Sequence, residues 1–273
     1  MPNIPLFTSI PARVSRRLPD GREVGAAWTR ACIASWQRAG YDVVSVNAAS
    51  ESAEVRARHP DIEVVEVGRD GQAASGRPLV YVADLLAAMA RSGQRSVALA
   101  NADVMCMNDA TALLRGWEPE GFAFSNRLDV DDPGGANPRL HGGVDFLIVN
   151  TRHLQNLAAP DFLFGTPWWD YWLPLALMAR GAPGRRLALN GLPVVAHLAH
   201  PERWNRADFI GNFERFSRAL ADAAVQPDAN DASGAPDAML ALSLHIARST
   251  SGMIHQLNGV LDLTGVRAMA AAP

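Results

Sequence analysis

Two polar side chains close an apolar run near the middle of the chain. Ser96-Val97-Ala98-Leu99-Ala100 leads straight into Asn101-Ala102-Asp103-Val104. The run reads as a buried strand, and residues two apart on a strand point to the same side. Asn101 and Asp103 can therefore face one place together at a carboxyl end of the sheet, where open α/β folds keep their ligands. A carboxylate beside an amide there suits a hard divalent cation or a ribose hydroxyl. The competing reading makes Asp103 the N-cap of a following helix, because Asp is a favoured cap.

Two further clusters bear chemistry. Phe164-Gly165-Thr166-Pro167-Trp168-Trp169-Asp170-Tyr171-Trp172 holds three of the chain's seven tryptophans around one carboxylate. Aromatic faces bind the C–H faces of sugars and bases, one carboxylate among them suits a general base, and burial beside indoles would raise the pKa of Asp170. The plainer reading is an aromatic core helix in which Asp170 satisfies a nearby N–H. His197 and His200 follow an apolar stretch, 194–196, and either can complete a metal site opened by Asp103. A strand-end histidine can equally be a hydrogen-bonded structural residue. Asn126, Arg127, Arg139 and His141 lie in a polar segment and offer either a phosphate clamp or a solvated loop.

Several chemistries are excluded. The chain contains no lysine, which removes a P-loop lysine and any Schiff base. No G-x-G-x-x-G follows the first strand, and H-E-x-x-H, G-x-S-x-G and Walker A patterns are missing. The net charge of −3 gives no field for a nucleic acid. Cys32 and Cys106 fit no zinc or redox spacing.

The elements that must position these residues alternate. Strands are expected at 6–10, 42–46, 62–67 and 96–100, with helices at 24–39, 51–58 and 79–90 between them. That order indicates a mostly parallel sheet with helices on both faces. Beyond it, 122–124 and 144–149 read as strands, 126–143 as a long loop, 168–179 and 206–224 as helices, and 187–189 and 194–196 as short strands. The 273 residues, 48% of them hydrophobic, suffice for one large domain with an appendage. We expect a domain over 1–225, a linker over 226–237 and a helical extension over 238–273 that packs on the body or pairs two copies as a homodimer. No transmembrane run and no signal peptide are expected. The chain reads as cytoplasmic, with peripheral attachment to the inner membrane left open.

The order of these features resembles the nucleotide-sugar glycosyltransferases of the GT-A fold. That resemblance covers roughly residues 4 to 205 and implies an α/β, Rossmann-type mixed sheet flanked by helices. Asn101-Ala102-Asp103 stands where the family has its D-x-D motif, with Asn in place of the first Asp. The resemblance implies that Asp103 is a ligand to Mn²⁺ or Mg²⁺, with His197 or His200 added, and that Asn101 touches ribose or metal. It places Thr8, Ser9, Ile10 and Asn47 around the nucleotide, has Gly143 and Asp145 open the acceptor side, and makes Asp170 the base of an inverting transfer. Its partners would be a nucleotide-sugar donor and a glycan or other hydroxyl acceptor, as in polysaccharide biosynthesis. A sugar-phosphate nucleotidyltransferase and a non-catalytic nucleotide- or sugar-binding module are the alternatives.

Overall fold

Leu6 and Phe7, Val43 and Val44, Ala98 and Leu99 are neighbours in sequence that enter opposite layers of the core. This is the period of two of a strand buried on both faces. The computed structural model describes residues 3–107, 121–179, 186–190, 193–200, 206–225, 259–262 and 267–269. Its first half runs β1 (Ile4–Thr8), α1 (Gly25–Arg38), β2 (Tyr41–Ala48), α2 (Ala49–Arg58), β3 (Glu63–Val67), α3 (Gln72–Ser75), α4 (Val82–Arg91) and β4 (Ser96–Ala100). β1 lies between β2 and β4, parallel to both, and β2 continues to β3.

The second half runs β5 (Val104–Cys106), β6 (Phe122–Val130), β7 (Arg139–Asn150), α5 (Trp169–Ala179), β8 (Arg186–Asn190), β9 (Val195–Leu198), α6 (Arg206–Val225), β10 (Gly259–Asp262) and β11 (Arg267–Met269). The sheet order is β11-β10-β8-β6-β7-β4-β1-β2-β3, and β9 joins β5 to β6 beside that path. β7 is antiparallel to both β4 and β6, so the sheet is mixed. One layer packs α4 and α5 on the sheet through Leu85, Met89, Trp169 and Trp172. The other packs α1 through Trp28, Cys32 and Trp36. Among the described residues no helix is long and apolar enough to cross a membrane.

Three expectations need correction. Residues 126–143 are not a long loop. β6 extends to Val130, β7 begins at Arg139, and the two form a ribbon. Its tip is built by Asp132, which accepts from the N–H groups of Gly134 and Ala136, while Asp131 pairs with Arg139 at 2.6 Å. The polar composition reflects the exposed tip of the ribbon, 133–139, while Val130 at the end of β6 is buried in the core. Asp103 precedes a strand, β5, so it is not the N-cap of a helix starting there. The extension is not helical throughout: β10 and β11 add to the edge of β8, whose open backbone groups accept another strand. The linker 226–237 and residues 238–258, with the expected dimer helix, lie outside the described residues.

Candidate functional site

Strand register brings the histidine and the carboxylates together. His197 on β9 stands opposite Val104 of β5 on one side and Asp129 of β6 on the other. Its ring therefore spans the two neighbours. Nδ1 lies 2.8 Å from Asp129 Oδ1 and Nε2 lies 3.3 Å from Asp103 Oδ2. The bond from Ala199 N–H to the Val130 carbonyl carries the β9–β6 pairing past Leu198 and holds His200 in place. His200 Nε2 then lies 3.4 Å from the same Asp103 oxygen.

Arg16, from the segment after β1, closes the cluster. It is 5% exposed, donates from Nη2 to Asp103 Oδ2 at 2.8 Å and from Nη1 to the Leu198 carbonyl at 3.0 Å. Helix α1 fixes the backbone here. The Trp28 indole donates to the Asp103 carbonyl at 2.8 Å and the Trp36 indole to the Val104 carbonyl at 2.9 Å. Burial raises the proton affinity of Asp103, but His197, His200 and Arg16 outweigh it and hold the carboxyl well below the usual range. Asp129 is likewise lowered to about 2, the bonds from His197 and Arg127 overcoming its burial. For His197, burial works against protonation, and the two carboxylates win and raise it.

The chain of charges continues to β7. Asp145 sits one residue beyond the Ala100–Phe146 pair, so its carbonyl accepts from Asn101 N–H at 3.1 Å and its Oδ1 from the Asn101 side-chain amide. Arg127 donates from Nη1 to Asp145 Oδ2 at 2.6 Å and from Nε to Asp129 Oδ1 at 2.8 Å. Gly143 packs against both: a Cβ there would stand 3.1 Å from His141 Nδ1 and 3.4 Å from Arg127 Nη1. The Gly143 N–H donates to His141 Nδ1, which leaves the proton of a neutral ring on Nε2. Burial and the Arg127 charge lower the proton affinity of His141.

Asp170 lies in the first turn of α5 and shares a narrow recess with Asp145, walled by Leu99, Phe146, Trp169 and Leu173. Burial in that apolar recess, then the Asp145 charge, push its carboxyl up to about 7, against Arg127 and the helix N–H groups. The helix entry is strained. Trp168 adopts φ +83, uncommon for a bulky residue, and is wedged between Tyr171 and the Phe209, Phe213 and Phe216 rings of α6.

The structure thus brings Asp103, His197 and His200 together, their candidate ligand atoms all within 4.8 Å of one another. It gives other surroundings to the nucleotide-side residues. Thr8, Ile10 and Asn47 are fully buried, and Ser9 is partly exposed. The Asn47 amide is spent inside the protein, donating to the Ile10 carbonyl at 2.7 Å and accepting from Ser45 Oγ. Asp145 is 2% exposed and bound by Asn101 and Arg127. Sequence reasoning missed Arg16, Asp129 and the two indoles. For Asp129 a signal existed: Arg127 and Asp129 are spaced i, i+2 shortly after the apolar 122–124 strand, with the same spacing as Asn101 and Asp103.

The candidate ion site passes a chemical test. Asp103 Oδ2 is 3.3 and 3.4 Å from the two imidazole nitrogens. Adjacent ligands that each sit ~2.1 Å from an ion are about 3 Å apart, so these two spacings suit an ion, and the two imidazole nitrogens lie within 4.8 Å of each other. Two imidazoles and one carboxylate suit Mn²⁺ better than Mg²⁺, which favours oxygen.

No protein-family model matches the chain, and no curated protein matches it by sequence. Solved structures do resemble it. The 1–349 portion of S. aureus TarS superposes with a TM-score of 0.55 at 12% identity, over 92% of this chain and 73% of that one. HddC from Yersinia pseudotuberculosis complexed with GMP-PN gives 0.44 at 8% identity, over 80% and 99%. A putative glucose-1-phosphate thymidylyltransferase from Bacillus anthracis gives 0.42 at 10% identity, over 83% and 96%. The likeness to TarS is one of fold, and the chain has an α/β fold of the GT-A, Rossmann-like type.

Proposed function

We infer that the protein is a glycosyltransferase that moves a sugar from a nucleoside diphosphate sugar to a hydroxyl acceptor. One observation carries the reading. A chain of contacting charges runs from Asp103 through His197, Asp129 and Arg127 to Asp145, which shares a recess with Asp170; Asp103 is held well below the usual range and Asp170 is pushed up to about 7. Carboxylates driven apart in this way take different parts in one reaction. Glycosyl transfer needs both: a charge that builds on the departing diphosphate must be neutralised, and an acceptor hydroxyl must lose its proton.

Asp103, His197 and His200 would hold Mn²⁺ or Mg²⁺. That ion, when bound, supplies positive charge for the diphosphate oxygens. Arg16 adds a fixed guanidinium at the same oxygen of Asp103. Asp170, in its ionised form, takes the acceptor proton, and direct displacement inverts the anomeric centre. Thr8, Ser9, Ile10 and Asn47 frame the nucleotide side through the backbone they hold. Asn101, Gly143 and Asp145 shape the wall between donor and acceptor. The GT-A fold supports this reading as an analogy of fold alone.

Donor hydrolysis and transfer, measured over a panel of nucleotide sugars with Mn²⁺ or Mg²⁺, test it. Asp103→Ala should lose at least a hundredfold in rate. Equal turnover in the two proteins removes Asp103 from the mechanism. Release of pyrophosphate from a nucleoside triphosphate and a sugar 1-phosphate assigns a nucleotidyltransferase instead. Tight nucleotide binding without turnover assigns a binding module.

A further inference from the structure

We propose that Arg127 is a positioning residue that couples the two ends of the site, holding the His197 side of the ion cluster through Asp129 and the Asp170 side through Asp145. The inference rests on the functional reading above and extends it to a residue that reading leaves without a part.

The geometry assigns the coupling to one planar group. The Arg127 guanidinium donates Nε to Asp129 at 2.8 Å and Nη1 to Asp145 at 2.6 Å, and the three side chains are 19%, 17% and 1% exposed. Asp129 in turn meets His197 Nδ1 at 2.8 Å, which leaves Nε2 turned to Asp103. A carboxylate on the far nitrogen of a ligating histidine fixes the ring and its tautomer. Asp145 shares the recess with Asp170. The groups that face Asp170 are Asp145 from β7, Arg127 from β6 and the neighbouring Tyr171 phenol on α5, itself raised by burial and by the two carboxylates.

A backbone irregularity puts Arg127 there. The β6–β7 register shifts on both sides of Asn126. Before the shift β6 pairs with β8, and after it with β9. Such a bulge turns the strand and re-aims the side chains that follow. Arg127 is the first residue past it. A lysine, with one compact ammonium, cannot donate along two directions in a fixed fork.

The three residues of the relay give separable outcomes. Mn²⁺ affinity is measured by calorimetry on the full chain. The Asp170 end is read without metal or substrate, from thermal unfolding over pH 4 to 9 with and without Asp170→Asn. The wild type loses stability relative to Asp170→Asn as pH rises, and the loss levels off near the folded-state value, about 7. Asp129→Asn should weaken Mn²⁺ binding about tenfold or more and leave the levelling-off pH in place. Asp145→Asn should lower the levelling-off pH and leave Mn²⁺ affinity within about threefold. Arg127→Gln should do both kinds of harm, weakening Mn²⁺ binding and moving the levelling-off pH upward, and Arg127→Lys should recover part of each. A merely structural arginine would lower stability equally at every pH. An Arg127→Gln protein with wild-type Mn²⁺ affinity, or with an unmoved levelling-off pH, overturns the relay. Should the wild type take no Mn²⁺ at all, the ion part of the functional reading falls. The pH arm then decides the relay alone, and if Arg127→Gln does not fold, Arg127→Lys decides it by the same two criteria.

Discussion

Asp103 and Asp170 are the same residue type, and their surroundings push them in opposite directions. Three cationic or hydrogen-bonding neighbours outweigh burial at Asp103, while at Asp170 burial and a like charge outweigh Arg127. A base must be ionised to work, so the transfer rate should rise with pH and level off above about 7. Asp170→Asn should lose about 10²–10⁴ in rate and flatten that rise, as a pH series of initial rates will show. Asn101 has its own logic. Its amide donates to Asp145. An aspartate at 101, the residue the D-x-D pattern prefers, would set a second carboxylate against Asp145 and leave that oxygen without its donor. Asn101→Asp should therefore destabilise the fold by about 2 kcal/mol at pH 7, read from the urea midpoint, and less at pH 4 where the new group is partly protonated.

Helix α1 reaches the site with its indoles, and that reach belongs to the element. Trp28 and Trp36 lie eight residues apart on one face of α1, bury their rings in one core layer, and place their N–H groups on consecutive carbonyls, Asp103 and Val104. Trp28→Phe keeps most of the apolar contact and orphans the Asp103 carbonyl. We expect a loss of about 1–3 kcal/mol in urea unfolding and a weaker hold on Mn²⁺, with the loss of affinity exceeding any change caused by the same substitution at the remote Trp172. The elements differ in how far the sequence discloses them. The first half was legible because β1, β2 and β4 are buried on both faces and α1 and α4 end at Gly40 and near Gly93, so that composition follows structure. The cores of β6 and β7 were legible at 122–124 and 144–149, but their extensions to Val130 and back to Arg139 were not, because the polar, Gly- and Pro-rich residues between them mask strands held by ladder bonds and by cross-strand ion pairs such as Asp131–Arg139. Asp103, His197 and His200 were legible as types at strand ends. The buried state of Asn47, and the occupation of Asn101 by Asp145, depend on register between strands far apart in the chain, which no local pattern encodes.

At the scale of the whole molecule, the site gathers where the parallel half of the sheet meets the antiparallel half. β4 is parallel to β1 and antiparallel to β7. Chain from β1 through β9 converges there, so the charges are assembled only in the folded state. Their effect on stability has a sign. The lowered groups, Asp103 and Asp129, contribute stability that is present above their unfolded value near 4 and is lost as pH falls below it, for Asp129 through about 2. Asp170, raised, contributes stability that is complete below its unfolded value of 3.8 and is lost as pH rises through about 7. The Asp170 contribution is therefore smaller at pH 8 than at pH 5, and Asp170→Asn should remove that part of the pH dependence in the metal-free protein. An ion that binds only the folded cluster acts in the other direction, by about 2.7 kcal/mol at a hundred times its dissociation constant. For a chain of this size that is roughly 5 to 10 °C in unfolding temperature. Mn²⁺ should give this rise in the wild type, Mg²⁺ a smaller one, and Asp103→Ala none, because the carboxylate that both imidazoles face is gone. A thermal scan of the two proteins with and without Mn²⁺ decides it, and an equal rise in Asp103→Ala would move the ion away from the end of β4.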